Sequence, residues 1–354
     1  MRERHFHKVG NLLGEEFSRA GSAQRFSSFQ ISAKEEEEAS ALLRKNRISE
    51  KDKFVVVAAG ARSHIKRWPQ EKFAQLVSWL SESLGVKVIL VGDKFDAGVH
   101  QSIARDSRLG AVDISGQTNI AHLAWLLKKS EFLITNDSAC LHLAGYLDVA
   151  VVAIFGPTDE SKYGPWSKHF SVVKKDIFCR PCSRAQCRFG HLKCMHLIKV
   201  EDVKRHVMDI WSIRATPGPI APWHKGLPSA PLLGRLAGVR QCARPKNDFR
   251  RILVARTDRI GDVVLSTPVI KSLRSAYPDS FIAMMVSPYT KDLVEGNPYL
   301  DEVIVYDKEG RHKSWWGSIR FALTLKKKKF DLALALHPVI RVHLILAFAG
   351  IRRR

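Results

Sequence analysis

Lys66 stands three residues ahead of Pro69 and just before Gln70–Leu84, a stretch with helical apolar spacing. A lysine beside a helix start is placed to neutralise a diphosphate, because the free backbone N–H groups there already favour an anion. A second junction is Thr135-Asn136-Asp137-Ser138, which ends one apolar run and opens a helical one, with His142 on the same face as Ser138. Asp137 repels a phosphate but accepts hydrogen bonds from sugar hydroxyls. A third, Arg256-Thr257-Asp258-Arg259-Ile260-Gly261-Asp262, follows an apolar run and enters a helix; Gly261 lets backbone come close to a ligand. Each junction also has a plain reading, with Asp137, Ser138 or Asp262 as a helix N-cap and Lys66 as a solvated charge. A fourth cluster, Cys179, Cys182, Cys187 and Cys194, gathers four of the six cysteines within sixteen residues. Thiolates so spaced in a reducing compartment suit a tetrahedral structural zinc, or else form a loop of unligated thiols. Nothing around them asks for a cysteine nucleophile.

The elements that must position these groups alternate. Phe54–Ala59, Val86–Val91, Phe132–Thr135 and Ala150–Phe155 read as buried strands, with helical spacing over Gln70–Leu84, Ile120–Lys129 and Ser138–Leu147 between them. That rhythm predicts an α/β fold with a parallel sheet covered on both sides. A closing helix is expected over Val200–Ile213, and the leading segment is helical and acidic around Glu35–Glu38. Residues 215–249 carry six prolines and no apolar period, the composition of a linker with an r.m.s. reach on the order of 30 Å. Alternation then resumes, with strands at Ile252–Arg256, Phe281–Val286, Glu302–Tyr306 and Phe330–Leu336 and helices at Asp262–Tyr277 and Trp315–Lys327. Four segments result: 1–45, 46–214, the linker 215–249, and 250–354.

With 57 basic against 35 acidic residues in 354, the net charge of +22 calls for an anionic partner: nucleic acid, anionic lipid or phosphorylated sugar. No nucleic-acid recognition motif accompanies the charge. The charged opening, Met-Arg-Glu-Arg-His-Phe-His, has no apolar core behind it, and Val339–Ile351 is too short and too interrupted to span a bilayer. A cytoplasmic protein is expected, with its cysteines outside disulfides.

Gly60-Ala61, Lys66-Arg67-Trp68-Pro69, Val91-Gly92, Ser115-Gly116, Asp137-Ser138 with His142, and Phe155-Gly156-Pro157-Thr158 together resemble the nucleotide-sugar half of the bacterial lipopolysaccharide heptosyltransferases, glycosyltransferase family 9. The Arg256–Asp262 stretch resembles the segment that opens that family. The cysteine spacing, with Cys194-Met195, is similar to the second-heptose branch. The resemblance implies two Rossmann-like domains of the GT-B type and an inverting transfer of heptose from ADP-L-glycero-D-manno-heptose to the lipopolysaccharide inner core, with no cofactor for the chemistry. It implies Asp262 as general base, Arg256 as a charge stabiliser, and Lys66 and Ser138 on the phosphates. Asp137 and His142 fall to the heptose end and Asp96 to the ribose. Ala139 stands where the family usually has glycine, and its methyl group narrows the space for the diphosphate.

The order of the two halves is reversed relative to that family. Met1–Leu13 resembles a late part of its acceptor domain, and Ala349–Arg354 a point shortly upstream. Segment 1–45 then reads as an acceptor-domain remnant, 46–214 as the donor domain and 250–354 as an incomplete acceptor-side domain. Two architectures are compatible with this order: a circular permutant that closes one cleft, or a fusion of partial copies without activity. A non-catalytic binder of anionic membrane surfaces through Lys326–Lys329 and Arg352–Arg354 is a third reading, and it would place the protein peripherally at the inner membrane.

Overall fold

Phe54–Ala58 (β1), Leu133–Asn136 (β4) and Val151–Ile154 (β5) are buried along their whole lengths. Strands with no solvent face need partners on both edges and cover on both sides, the condition of the interior of a parallel sheet. The computed structural model describes residues 29–49, 51–182, 184–215 and 249–354. Segment 1–28, which opens the expected acceptor remnant, and segment 216–248, nearly all of the proline-rich linker, lie outside the described residues. The described residues fall into two compact units, one holding 31–215 and the other holding 29–30 and 249–354.

In the first unit β1, β4 and β5 are joined by Lys87–Leu90 (β2), Val112–Asp113 (β3) and Phe170–Val173 (β6), all parallel, in the order β3-β2-β1-β4-β5-β6. The helices are Ala33–Lys45 (α1), Gln70–Leu84 (α2), Ala97–Asp106 (α3), Ile120–Lys129 (α4), Ala139–Leu147 (α5), Glu160–Tyr163 (α6), Lys193–His196 (α7) and Val200–Ala215 (α8). Strand order runs outward in both directions from β1 and β4. Between them the connections part to opposite faces and leave a crevice at the carboxyl ends, where such sheets bind ligands.

Local sequence explains the elements. Pro69 supplies the N-cap of α2 with φ near −55°, and Gly85 ends that helix in the left-handed conformation, φ 63°. Phe73, Leu76, Val77 and Leu80 form its buried stripe, packed with Val55, Val57 and Leu90 from the sheet. Helix α1 begins in a reciprocal capping box between Ser32 and Glu35.

The second unit repeats the plan at smaller scale. Arg251–Ala255 (β7), Phe281–Val286 (β8), Glu302–Val305 (β9) and Leu332–Ala335 (β10) form a parallel sheet in the order β10-β7-β8-β9. Its helices are Ile260–Ala276 (α9), Trp315–Lys327 (α10) and Ile340–Phe348 (α11). The order reverses between β7 and β10. Pro268 lies inside α9, where it cannot donate to the carbonyl of Val264, and the Thr267 hydroxyl donates to that oxygen at 2.8 Å instead.

The interior strands stand where the apolar runs place them, to within two residues at either end. Helix α9 starts two residues before Asp262, so Asp262 is its third residue and not its first. Strands β3 and β6 and helix α3 have no counterpart in the periodicity. Both strands lie at sheet edges and are mostly half-buried, and so carry little apolar signal. No helix among the described residues is long and apolar enough to cross a membrane.

Candidate functional site

The crevice between β1 and β4 is lined by the residues at the carboxyl end of each strand. After β1 come Ala59, Gly60 and Ala61; after β4 come Asp137 and Ser138. The 3-10 turn His64–Lys66 carries Lys66 across, and its Nζ lies 2.6 Å from Asp137 Oδ2. Thr158, from the loop after β5, donates its hydroxyl to the same oxygen at 2.7 Å. The Asp137 side chain is only 4% exposed and Lys66 28%, so this ion pair is largely shielded from water. Asn136 fastens the turn: its amide donates to Ala59 O at 2.7 Å and accepts from the Trp68 backbone N–H at 3.2 Å.

Ser138 occupies the N-cap position of α5 but makes no side-chain capping bond; its hydroxyl lies 3.0 Å from that of Thr135. Asp137 precedes the cap and is engaged with Lys66 and Thr158. The plain capping reading therefore fails for both. The N-terminal end of α5 is left with uncapped N–H groups facing a paired lysine, an arrangement suited to a phosphate. Ala139, the first helical residue, is exposed at this end. His142 lies half-buried on the next turn. The adjoining Cys140 thiol is pushed up to about 12 by burial and is inert at neutral pH.

Asp96 holds the N-cap position of α3 without capping it. Its carboxylate instead reaches back over the sheet end, 3.7 Å from Arg67 Nη2. A Cβ built on Gly60 would stand 2.2 Å from Asp96 Cγ, and one on Gly92 2.8 Å from Asp96 Oδ2. Both glycines are thus the floor on which this carboxylate rests. Behind it His100 is fully buried, with Nδ1 2.5 Å from Ser115 Oγ, and Ser115 in turn donates to Asp113 Oδ1 at 2.6 Å. Burial holds the His100 imidazole below its ordinary pKa, which favours the neutral form.

In the second unit the corresponding crevice lies between β7 and β10. Arg256, 4% exposed, sends Nε to Asp258 Oδ1 and Nη2 to Asp262 Oδ1, each at 2.8 Å, and Nη1 donates to Leu336 O. One guanidinium is thus in ion-pair contact with two carboxylates. Burial raises the Asp258 carboxyl to about 6, against the pull of Arg256 and with a further push from Asp262. Thr257 Oγ1 lies 3.2 Å from His337 Nε2, and burial together with Arg256 takes His337 down to about 4. The Tyr289 hydroxyl donates to the Asp258 carbonyl at 2.6 Å.

Sequence reasoning singled out Lys66, Asp96, Asp137, Ser138, Ala139, His142, Arg256 and Asp262. It assigned no role to Thr158, Arg67, Asn136, Asp258 or His337, whose contacts arise only when distant strand ends are brought together. Residues 13–193 match the sequence model of one family. The chain belongs to glycosyltransferase family 9 (heptosyltransferase). It is 30% identical over 141 residues to lipooligosaccharide heptosyltransferase 2 of Campylobacter jejuni subsp. jejuni serotype O:2, an alignment covering 39% of this chain and 44% of that protein. It is 29% identical over 119 residues to an Escherichia coli lipopolysaccharide heptosyltransferase 3, covering 33% and 35%. The chain thus spans under half the length of these relatives. Among solved structures it is similar to E. coli ADP-heptose lps heptosyltransferase II, with 20% identity, coverage of 53% and 54%, and a TM-score of 0.45.

In this family 9 member the four cysteines of the expected zinc site line one pocket as free thiols, Cys194 buried and the others half-buried. Backbone N–H groups, that of Leu192 foremost, lower the Cys187 pKa. Burial, and then the nearness of Cys179 and Cys187, raises that of Cys194. The donor chemistry suits zinc. Among the described residues, however, no three Cys, His, Asp or Glu side chains are gathered closely enough to hold a metal ion.

Proposed function

We propose that the chain is an inverting glycosyltransferase that moves heptose from ADP-heptose to a hydroxyl of the lipopolysaccharide inner core. The observation that carries this reading is the shielded Lys66–Asp137 pair at the strand-order reversal of a six-stranded doubly wound sheet. There a lysine, an uncapped helix start and a hydrogen-bond-accepting carboxylate serve a diphosphate and the hydroxyls of the sugar it carries. Asp96, held over Gly60 and Gly92, accepts from the ribose.

In the reaction so read, Asp262 takes the proton of an acceptor hydroxyl as its oxygen attacks the anomeric carbon. The bond from that carbon to the diphosphate oxygen breaks in the same displacement, inverting the centre, and the electron pair leaves with ADP. Lys66 and the start of α5 balance the charge gained by the leaving diphosphate. Arg256 fixes the Asp262 carboxylate in one orientation, so the base is positioned before the substrate arrives. The reading assigns 46–214 as donor domain and 250–354 as acceptor-side domain, in permuted order.

The surface-binding alternative is less favoured, because the lysine run is partly committed: Lys328 pairs with Glu302 at 2.6 Å. The test is turnover of ADP-heptose on truncated lipopolysaccharide, with Asp262→Ala as the comparison. Removing a general base is expected to cost roughly 10²–10⁴ in rate. A parent rate no greater than that of the variant would remove the catalytic reading and leave an inactive fusion.

A further inference from the structure

Beside the Lys66–Asp137 pair lies a pocket of about 420 Å³ that the proposed chemistry does not use. Its inner wall includes Ile65 and Pro157, the residues immediately before Lys66 and Thr158, both of which touch Asp137. Its outer wall is the loop Phe178–Leu192. That loop is tied down: the Cys182 N–H donates to Pro157 O at 2.6 Å, and the Arg180 guanidinium donates to Thr158 O at 3.0 Å and pairs with Glu160 at 2.7 Å. The pocket therefore adjoins the donor crevice through Ile65 and Pro157.

Three features of its lining point to one ligand chemistry. Arg184 and Arg188 are exposed and, unlike Arg180, pair with no carboxylate among the described residues. Phe178 is 82% exposed and Phe189 48%, their rings 5.2 Å apart at 63°. His191 stacks on Phe189 at 5.5 Å and 9°, and its Nε2 has no hydrogen-bond partner. Guanidinium groups without a carboxylate partner are fitted to a phosphate in a bidentate manner, Arg188 included although it lies 5.6 Å over the Phe189 ring, and the exposed Phe178 ring accepts the C–H face of a pyranose. The volume is at the scale of a monosaccharide phosphate.

The geometry points to a second binding pocket, lined by Phe178, Arg184, Arg188, Phe189 and His191, that takes a phosphorylated saccharide.

Mannose 6-phosphate, mannose and inorganic phosphate serve as probes in calorimetric titration of the full chain under reducing conditions. Mannose 6-phosphate is expected to bind with a dissociation constant on the order of 1 mM or tighter, and mannose at least about tenfold more weakly. The double variant Arg184→Ala/Arg188→Ala, at exposed positions without a carboxylate partner, should weaken the sugar phosphate by about tenfold or more. Phe178→Ala/Phe189→Ala should weaken the sugar phosphate but leave inorganic phosphate unchanged. ADP, titrated in parallel, should bind all variants equally.

Sugar-phosphate affinity unchanged in the arginine variant overturns the pocket, as does inorganic phosphate binding as tightly as mannose 6-phosphate. Loss of ADP binding in the arginine variant would make the pocket part of the donor site, and overturn it as a separate one. Arginine-dependent binding to phosphatidylglycerol vesicles, with no heat from mannose 6-phosphate, would reassign it to a lipid headgroup. Failure of ADP-heptose turnover, with sugar-phosphate binding intact, sinks the transferase reading alone.

Discussion

Asp258 shares Arg256 with Asp262 yet is a poor carboxylate at low pH, and that asymmetry has a measurable consequence. Its carboxyl is raised from an ordinary value near 3.8 to about 6, chiefly because burial penalises the charged form. A group whose folded pKa lies above its unfolded value holds its proton more tightly in the folded state. Its stability contribution is complete below the unfolded pKa and is lost as pH rises through the folded one. About two pH units at 1.36 kcal/mol each make the loss on the order of 3 kcal/mol. The window runs from about pH 4 to pH 6, with little change above that.

Asp258→Asn keeps the shape and cannot ionise. It leaves Arg256 with Asp262, the pairing present when Asp258 is protonated. Parent and variant should therefore be equally stable near pH 4. The variant should then gain steadily, reaching a plateau advantage on the order of 3 kcal/mol by about pH 6.5. Equilibrium urea denaturation at pH 4, 5, 6 and 7.5 measures this, and taking the difference at each pH cancels every other titration. A constant offset across the series, or a variant that loses ground as pH rises, would refute the claim that burial outweighs Arg256 at this carboxylate.

Lys66→Met leaves Asp137 shielded with only Thr158 beside it, and thermal or urea unfolding should show a loss of about 1–3 kcal/mol, discounted because Lys66 is more than a quarter exposed. ADP affinity, read by calorimetry, should fall in the same variant. Gly60→Ala drives a Cβ into the Asp96 carboxylate and should weaken ADP binding, whereas the same change in an Asp96→Ala background should cost almost nothing more. Alkylation by iodoacetamide, followed by mass spectrometry, should modify Cys187 first and Cys194 and Cys140 last. Protection of Cys179, Cys182, Cys187 and Cys194 together by added Zn²⁺ would show that the loop closes on a metal.

What the sequence made legible comes down to burial. Phe54–Ala58 and Val151–Ile154 announce themselves because an interior parallel strand must be apolar on both faces, and small or polar residues directly after them mark the ligand-binding end. Val112–Asp113 and Phe170–Val173 stayed hidden because edge strands are free to be polar. The same division holds at the site. Lys66 and Asp262 are visible as isolated signals beside helix starts. The seat of Asp96 on Gly60 and Gly92, Thr158 on Asp137, and the sharing of Arg256 by two aspartates depend on strand ends far apart in the chain, and periodicity is blind to that. The cysteines are a separate case: their spacing suggests a ligand set, and among the described residues no such set is gathered around one point.

The two crevices are built alike and charged differently. Each lies where strand order reverses, and each holds one shielded cation with its acidic partners. In the first the ratio is one lysine to one aspartate. The uncapped α5 end then leaves that crevice favourable to a further anion, but a diphosphate must draw Lys66 partly away from Asp137. The released carboxylate is then free to accept from hydroxyls of the group the diphosphate carries, so the cost of opening the pair is offset by contacts that only a sugar nucleotide makes. In the second the ratio is one arginine to two aspartates, and that crevice is short of positive charge. An arrangement deficient in cations repels phosphate and attracts a proton, which suits a base acting on a neutral hydroxyl and not a diphosphate site. Each crevice is assembled within its own unit, so this difference in charge does not depend on the order of the two along the chain.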